Sequence, residues 1–140
     1  MISITGLAVF AGDLKTGMRA SGFVLQDIDG KRISLNTLLS DNKPHVISFF
    51  ATWCKPCLKE IPKLQALKAK TGVNITLISI DDTTRGGLKQ FLKGNSIALP
   101  VLLDPDASIT GENYGYFKRG SASVPKLVLI SGTGVFLRWR

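Results

Sequence analysis

Two cysteines, Cys54 and Cys57, are the only ones in this 140-residue chain, and two residues separate them. They follow an apolar run at 46–50 that predicts a buried strand, and they precede apolar residues at helical spacing, Leu58, Ile61, Leu64 and Leu67. A helix N-terminus offers unpaired N–H groups and a partial positive charge, which both favour a thiolate. The spacing also allows a small disulfide ring. We therefore predict a reversible redox pair, with Cys54 as the partly exposed nucleophile and Cys57 as the more buried resolving thiol.

Two structural roles for the cysteines are less consistent with the sequence. A closed zinc site needs four ligands, and the chain offers two cysteines and one distant histidine, His45. A purely structural disulfide would close a tiny loop and would restrict the unfolded chain little. We expect no metal and no cofactor beyond the redox-active disulfide. His45 follows Pro44 and is predicted to lie in a solvated turn.

Length and composition indicate one domain over residues 1–140 with a substantial core, because 44% of the residues are hydrophobic. No apolar run is long enough to span a bilayer. Residues 1–16 are interpreted as a possible signal remnant or an extra strand. The net charge is +8. Lys55, Lys59 and Lys63 recur every four residues, which predicts a solvated helix face rather than a nucleic-acid surface, and Lys55 should favour the Cys54 thiolate.

The remaining pattern is that of a mixed α/β domain. Asp29-Gly30 between 23–28 and 32–35 predicts a β-hairpin. A helix is predicted over 56–70, kinked by Pro62 and ended at Gly72. The other predicted elements are a strand at 73–80, a helix capped within 81–84 and reaching Asn95, an extended piece at 100–104, a short helix at 107–114, and strands at 126–130 and 135–139. This order implies a mixed sheet with helices on both faces.

Several of these segments together resemble one family from about Gly17 onward. The stretch 49–57 (Phe-Phe-Ala-Thr-Trp-Cys-Lys-Pro-Cys), the helix proline Pro62, the hairpin at 30–35, the helix and strand at 84–103, and Val124-Pro125 are similar to the TlpA-like (ResA-like) group. Its members are thioredoxin-fold thiol-disulfide oxidoreductases of bacterial cell envelopes. The resemblance implies a three-layer α/β/α thioredoxin-like fold with a mixed central sheet, an N-terminal β-hairpin and an extra helix–strand insertion.

The resemblance also suggests roles and partners. Pro125 would be cis and face the dithiol, where a substrate strand can pair with the exposed backbone edge. The predicted substrate-binding residues are Trp53, Lys55, Pro56, Val124 and Pro125. Glu60 would relay the proton of Cys57, although an ordinary surface pair with Lys63 is an equal alternative. The expected partners are protein disulfides, with apocytochrome c among the candidates, and an upstream thiol donor. A reductant in the periplasm is favoured, near a membrane, while a cytoplasmic location and any oligomeric state stay open.

Three departures from the family pattern are visible. Lys126 follows the proline where the family usually has Thr. Ser48 stands where plain thioredoxins carry a buried Asp, so the base for Cys57 must come from elsewhere. The chain ends at Arg140, where the family adds a C-terminal helix. We expect the sheet face left without that helix to be covered by residues 2–10 or by another chain, the alternative being a truncated product.

Two other functions are compatible with a cysteine pair. A peroxidase of the peroxiredoxin type would need Pro and Thr upstream of the reactive cysteine, with the Thr three residues before it. Here Ile47 and Ala51 occupy those positions, so the groups that activate peroxide are missing. A copper-handling module is the second alternative, because soft thiolates suit Cu(I). It would need a nearby His or Met, and Met1 and Met18 are remote in sequence.

Overall fold

The structure is a computed structural model that describes residues 16–139. The predicted signal remnant or extra strand therefore lies, apart from Thr16, outside the described residues. The elements are β1 Val24–Asp27, β2 Arg32–Ser34, α1 Leu35–Leu38, β3 His45–Phe50, α2 Lys55–Thr71, β4 Asn74–Ser79, α3 Arg85–Gly94, β5 Val101–Leu103, β6 Phe117–Lys118, β7 Ser121–Ala122, β8 Lys126–Ile130 and β9 Phe136–Trp139.

Seven strands form one sheet in the order β2-β1-β5-β4-β3-β8-β9, and β6 and β7 form a separate hairpin. Strands β3, β4 and β5 are parallel, while β1, β2, β8 and β9 join by antiparallel pairing. All six residues of β3 are buried. Because consecutive side chains of a strand point to opposite faces, both faces of the sheet centre are covered. This confirms the predicted mixed α/β thioredoxin-like fold, including the inserted α3 and β5.

The predicted N-terminal hairpin is present, and local turn chemistry explains it. The Asp27 carboxylate accepts the N–H groups of Asp29 at 2.8 Å and Lys31 at 2.9 Å. Gly30 has φ +87°, a backbone conformation that a side chain would disfavour. The hairpin joins the core sheet through β1, which pairs with β5.

Helix α2 runs unbroken through Pro62 and ends, as predicted, at Gly72, whose left-handed φ of +74° lets its N–H bond to Lys68 O at 2.8 Å. Of the apolar residues at helical spacing, Ile61 and Leu64 are buried, whereas Leu67 is 40% exposed. The three lysines spaced by four residues are exposed, as a solvated helix face requires: Lys55, Lys59 and Lys63.

The helix predicted at 107–114 does not form as a continuous element. A short 3₁₀ helix, Pro105–Ala107, is followed by turns, and Asp106 and Ala107 adopt positive φ. The fully buried Asp104 carboxylate accepts the N–H groups of Ile109 at 3.0 Å and Thr110 at 2.7 Å. These side-chain bonds compete with helical backbone bonds, which is why the predicted helix at 107–114 does not form.

Two tyrosines that follow this turn are packed in the core. The ring centroids of Tyr114 and Tyr116 lie 5.4 and 4.3 Å from that of Phe49. Thr110 Oγ1 lies 2.6 Å from the Tyr116 hydroxyl and also donates to Asp104 Oδ2 at 2.7 Å. Burial raises the pKa of both tyrosines far above the usual value. The segment between β5 and β6 is thus held by buried side chains rather than by a regular helix.

The last strand has neighbours on both sides. Strand β9 pairs with β8 on one side and forms hydrogen bonds with the segment before β1 on the other. Gly17 N–H donates to Phe136 O, and Phe136 N–H donates to Met18 O, both at 2.8 Å. Phe136 is fully buried, whereas Leu137 is 39% exposed. The predicted cover, residues 2–10, lies outside the described residues, so that expectation stays a prediction.

Candidate functional site

The connection from β3 to α2 places Cys54 at the helix N-terminus. Cys54 N–H donates to Ala51 O at 3.1 Å, closing a turn. Cys54 is the N-cap residue with extended backbone, and its Sγ accepts the Cys57 N–H at 3.2 Å. Pro56 lies in the first helical turn, where a missing N–H costs no intrahelical bond. A sulfur in this position lies next to the positive end of a 17-residue helix.

Cys54 and Cys57 are joined by a disulfide, with their Cα atoms 5.3 Å apart. Both are buried in this form, Cys54 with 5% and Cys57 with 1% of its surface exposed. The expected partial exposure of Cys54 is therefore wrong for the disulfide form, in which Val124 O lies 3.6 Å from Cys54 Sγ. Trp53 is 66% exposed, and Lys55 is exposed. These two side chains flank the disulfide on the surface of the protein.

The loop before β8 lies against the dithiol, as predicted. The Val124–Pro125 peptide bond is cis, and Val124 O is 3.6 Å from Cys54 Sγ. Strand β8 is antiparallel to β3, with Lys126 opposite Phe49, so the residues before β8 fall near the end of β3 that leads into Cys54. Ser123 N–H donates to Tyr116 O at 2.6 Å and anchors the loop. The geometry of this prediction is confirmed, while the substrate-binding role stays a prediction.

Lys126, which departs from the family pattern, is partly buried at the start of β8. Burial lowers the pKa of Lys126, and the positive charge of Lys118 lowers it further. Two basic side chains therefore lie close enough to interact beside the loop that contacts Cys54.

Glu60 lies one turn after Cys57 and is partly buried. Its Oε1 is buried without a hydrogen-bond partner in the structure of residues 16–139. Across the same residues the only ion pair joins Lys89 to Asp29 at 2.9 Å, so the alternative Glu60–Lys63 pair is not formed. Buried polar atoms without a hydrogen-bond partner are rare in folded proteins, and the proton-relay role of Glu60 stays a prediction.

Asp81, which the sequence offers only as one of several possible caps for the next helix, lies instead beside the turn that carries Cys54. The cap is Thr84, whose hydroxyl accepts Gly87 N–H at 3.0 Å. Asp81 instead is buried and accepts the N–H of Thr52, two residues before Cys54. The available signal was positional: β3 and β4 are parallel, so residues just past their carboxyl ends meet at one sheet edge.

His45 was placed wrongly by the sequence analysis. It lies in β3, buried, with Nε2 2.7 Å from Thr76 Oγ1 and Nδ1 3.2 Å from Leu38 O. It occupies the end of β3 remote from the dithiol. Burial lowers the pKa of His45, and the charge of Lys68 adds to this, against the raising effects of Leu38 O and Asp41. Ser48 is also buried in β3 and supplies no ionisable group.

Two features are absent from the part of the chain between Thr16 and Trp139. There, no group of three or more His, Cys, Asp or Glu side chains has an arrangement that could hold a metal ion. In the same part, no helix has the length and hydrophobicity needed to cross a bilayer.

Three features together define the thioredoxin-fold dithiol proteins. They are a mixed thioredoxin-like sheet, a Cys-x-x-Cys pair at the start of the helix after a central strand, and a cis-proline loop against that pair. The model of the AhpC/TSA family matches residues 16–137, and the chain belongs to that family.

Comparisons with individual proteins agree with this assignment. The chain is 36% identical over 101 residues to the thiol-disulfide oxidoreductase ResA of Bacillus cereus, covering 70% of this chain and 57% of that protein. It is 35% identical over 108 residues to ResA of Bacillus subtilis, covering 73% and 58%. The chain thus spans less than two thirds of these relatives. The thioredoxin domain of a thiol-disulfide oxidoreductase from Bacteroides vulgatus has the same fold, with a TM-score of 0.77, 22% identity, and 91% and 89% coverage.

Proposed function

We propose that this protein is a thiol-disulfide oxidoreductase that reduces disulfides of envelope proteins. The observation that carries the proposal is the position of Cys54 Sγ, bonded to Cys57, hydrogen-bonded to the helix N-terminus and 3.6 Å from Val124 O. A thiolate there is stabilised by the helix and lies beside a backbone edge that can hold a substrate strand.

In the first step the Cys54 thiolate attacks one sulfur of a substrate disulfide. A Cys54–substrate disulfide forms, the substrate's own disulfide breaks, and the other substrate sulfur leaves as a thiolate that takes a proton. Lys55 favours the ionised form of Cys54 by its charge. Neither metal nor cofactor takes part in this exchange of two electrons between sulfurs.

In the second step Cys57 loses its proton and attacks Cys54 Sγ. The Cys54–Cys57 disulfide forms again, and the substrate leaves with both sulfurs reduced. Glu60 is the proposed acceptor of the Cys57 proton, since it lies one turn further along the same helix and its Oε1 has a free lone pair in the described structure. An upstream thiol protein then reduces the disulfide of the enzyme and completes the cycle.

The docking surface is proposed to consist of Trp53, Lys55 and Pro56 on one side of the disulfide, and Val124 and Pro125 on the other. Trp53 offers a large exposed apolar surface, and the Val124–Pro125 loop offers backbone groups. This combination suits an extended peptide that pairs along its main chain and inserts a cysteine between the two sides.

The proposed setting is the bacterial envelope or periplasm, close to a membrane. The relatives in Bacillus are named thiol-disulfide oxidoreductase ResA, and the resemblance to this group favours a reducing role of the kind needed in cytochrome c maturation. Apocytochrome c and other disulfide-bearing envelope proteins are the candidate substrates.

The function is tested by trapping. Removal of the resolving thiol in Cys57→Ala should leave Cys54 covalently joined to a disulfide peptide. Dithiothreitol should reduce this mixed disulfide and release the peptide. Cys54→Ala is the matched control and should trap nothing. The reduced wild-type chain should also reduce insulin disulfides. Peroxide consumption without disulfide reduction would indicate the peroxidase alternative, and tight Cu(I) binding without trapping would indicate the copper alternative.

A further inference from the structure

A buried carboxylate lies beside the turn that carries the nucleophile. Asp81 is 8% exposed, and both of its oxygens accept the Thr52 N–H, at 3.0 and 2.9 Å. The Thr52 hydroxyl donates to Oδ1 at 2.7 Å, and the Ser79 hydroxyl donates to Oδ2 at 2.7 Å. Asp81 and Thr52 are 29 residues apart in sequence, so the bonds join two separate strand ends.

The contacts of the turn show what these bonds restrain. Thr52 is the second residue of the turn that Cys54 N–H closes onto Ala51 O. On the other side, Ile80 N–H donates to Phe50 O at 3.0 Å. Backbone hydrogen bonds therefore hold the chain before Thr52 to the residue after β4 and close the turn after Thr52. Asp81 binds Thr52 itself. Hydrogen bonds to a buried carboxylate are among the stronger ones in proteins.

We propose that Asp81 is a positioning residue for Cys54. By holding Thr52, Asp81 keeps the turn in the conformation in which Cys54 Sγ accepts the Cys57 N–H and lies next to Val124 O. The helix can stabilise a thiolate only while the sulfur stays in this N-cap position. The inference rests on the dithiol function proposed above and adds a residue to it that does not touch the substrate.

The direction in which the pKa of Cys54 changes distinguishes a positioning role of Asp81 from a direct electrostatic one. Loss of a nearby negative charge would by itself favour the Cys54 thiolate and lower the pKa of Cys54. Loss of the positioning bonds would instead remove helix stabilisation and raise that pKa. Thr52→Val removes the hydroxyl bond and keeps the Asp81 charge, so it tests positioning alone.

The experiment follows alkylation of Cys54 by iodoacetamide against pH in the reduced full chain, with the product identified by mass spectrometry. Asp81→Ala and Thr52→Val should each shift the midpoint upward and slow alkylation at pH 7 about threefold or more, the change that half a pKa unit produces. Thr52→Ser, which keeps a hydroxyl donor, should behave like the wild type. Thr76→Val removes a buried bond to His45 at the remote end of the sheet and should leave the midpoint in place.

Each result is decisive because folding is measured on the same samples by circular dichroism and denaturant titration. An upward midpoint shift in folded Thr52→Val with recovery in Thr52→Ser supports the proposal, even if Asp81→Ala fails to fold. An unchanged or lowered midpoint in Thr52→Val overturns it, as does an equal shift in Thr76→Val. Failure of the proposed function would appear differently, as a wild-type chain that neither traps nor reduces a disulfide.

Discussion

At the scale of single residues, the site depends on groups whose partners lie far away in sequence. The Cys54 sulfur takes one contact from its own helix and one from Val124, seventy residues later. Glu60 lies beside this pair with one buried oxygen that has no partner among the described residues. In the proposed mechanism the two cysteines exchange the disulfide, and neighbouring side chains such as Glu60 affect the rate of each step.

Glu60→Gln should slow the second step and spare the first. The amide keeps the shape of the side chain but cannot take the Cys57 proton, so resolution of a preformed Cys54 mixed disulfide should slow about tenfold or more. Alkylation of Cys54 should be unchanged. Stopped-flow measurement of thiol release checks this, with Glu112→Gln as the matched control because Glu112 is exposed. Equal resolution rates in both variants would contradict the role of Glu60.

At the scale of secondary-structure elements, two buried polar groups tie neighbouring segments together. His45 joins β3 to β4 through Thr76 and to the end of α1 through Leu38. Asp104 and Thr110 hold the turns between β5 and β6. In both cases a buried polar side chain finds its hydrogen-bond partners in another part of the chain or in a neighbouring turn, as buried polar groups require.

The buried histidine should make stability depend on pH. Burial lowers the pKa of His45 in the folded chain, so the unfolded chain binds the proton more readily. Stability should be fully present above about pH 6.5, the unfolded value, and should fall as the pH drops from there to the folded value. Denaturant titrations should show a lower free energy of unfolding at pH 5.5 than at pH 7.5. In His45→Gln this difference should be smaller. An identical pH dependence in that variant would contradict the prediction.

Thr110→Val should destabilise the segment between β5 and β6. The variant keeps the shape of the side chain but leaves the Asp104 carboxylate and the Tyr116 hydroxyl each without one partner, at a cost of about 1–3 kcal/mol. Thr71→Val, on the exposed end of α2, should cost no more than about 0.5 kcal/mol. Urea unfolding of both variants measures the difference. A cost for Thr110→Val as small as that of the control would show that the buried network contributes little.

At the scale of the whole molecule, the chain carries a large positive net charge. The net charge is +8, and Lys55, Lys118 and Lys126 lie around or near the loops that meet at the disulfide. Such a field attracts acidic partners over distances comparable to the Debye length. The protein is therefore expected to react more readily with disulfides that have acidic neighbours.

This preference can be measured with two disulfide peptides that differ only in acidic or basic flanking residues. At low salt the reduced protein should react with the acidic peptide about tenfold faster, and the difference should shrink as salt is added. Lys126→Thr, which restores the residue usual in the resembled family, should reduce the difference. Equal rates for both peptides at low salt would contradict the prediction.

The sequence alone was sufficient for the features that depend on local chemistry. The hairpin follows from Asp29-Gly30, the end of α2 from Gly72, and the dithiol from cysteine spacing between an apolar run and a helical pattern. The resemblance added the cis Val124–Pro125 bond and its contact with Cys54, both present in the structure. These features need only neighbouring residues or a known motif to be recognised.

Only the tertiary structure decided the placement of the buried polar groups. The local sequence is consistent with a solvated turn at His45 and with a helix cap at Asp81, and neither interpretation is correct. Their actual partners, such as Thr76 for His45 and Thr52 for Asp81, are about thirty residues away. A hydrogen bond between distant segments leaves no periodicity in the sequence; it exists only once the sheet has brought the strand ends together.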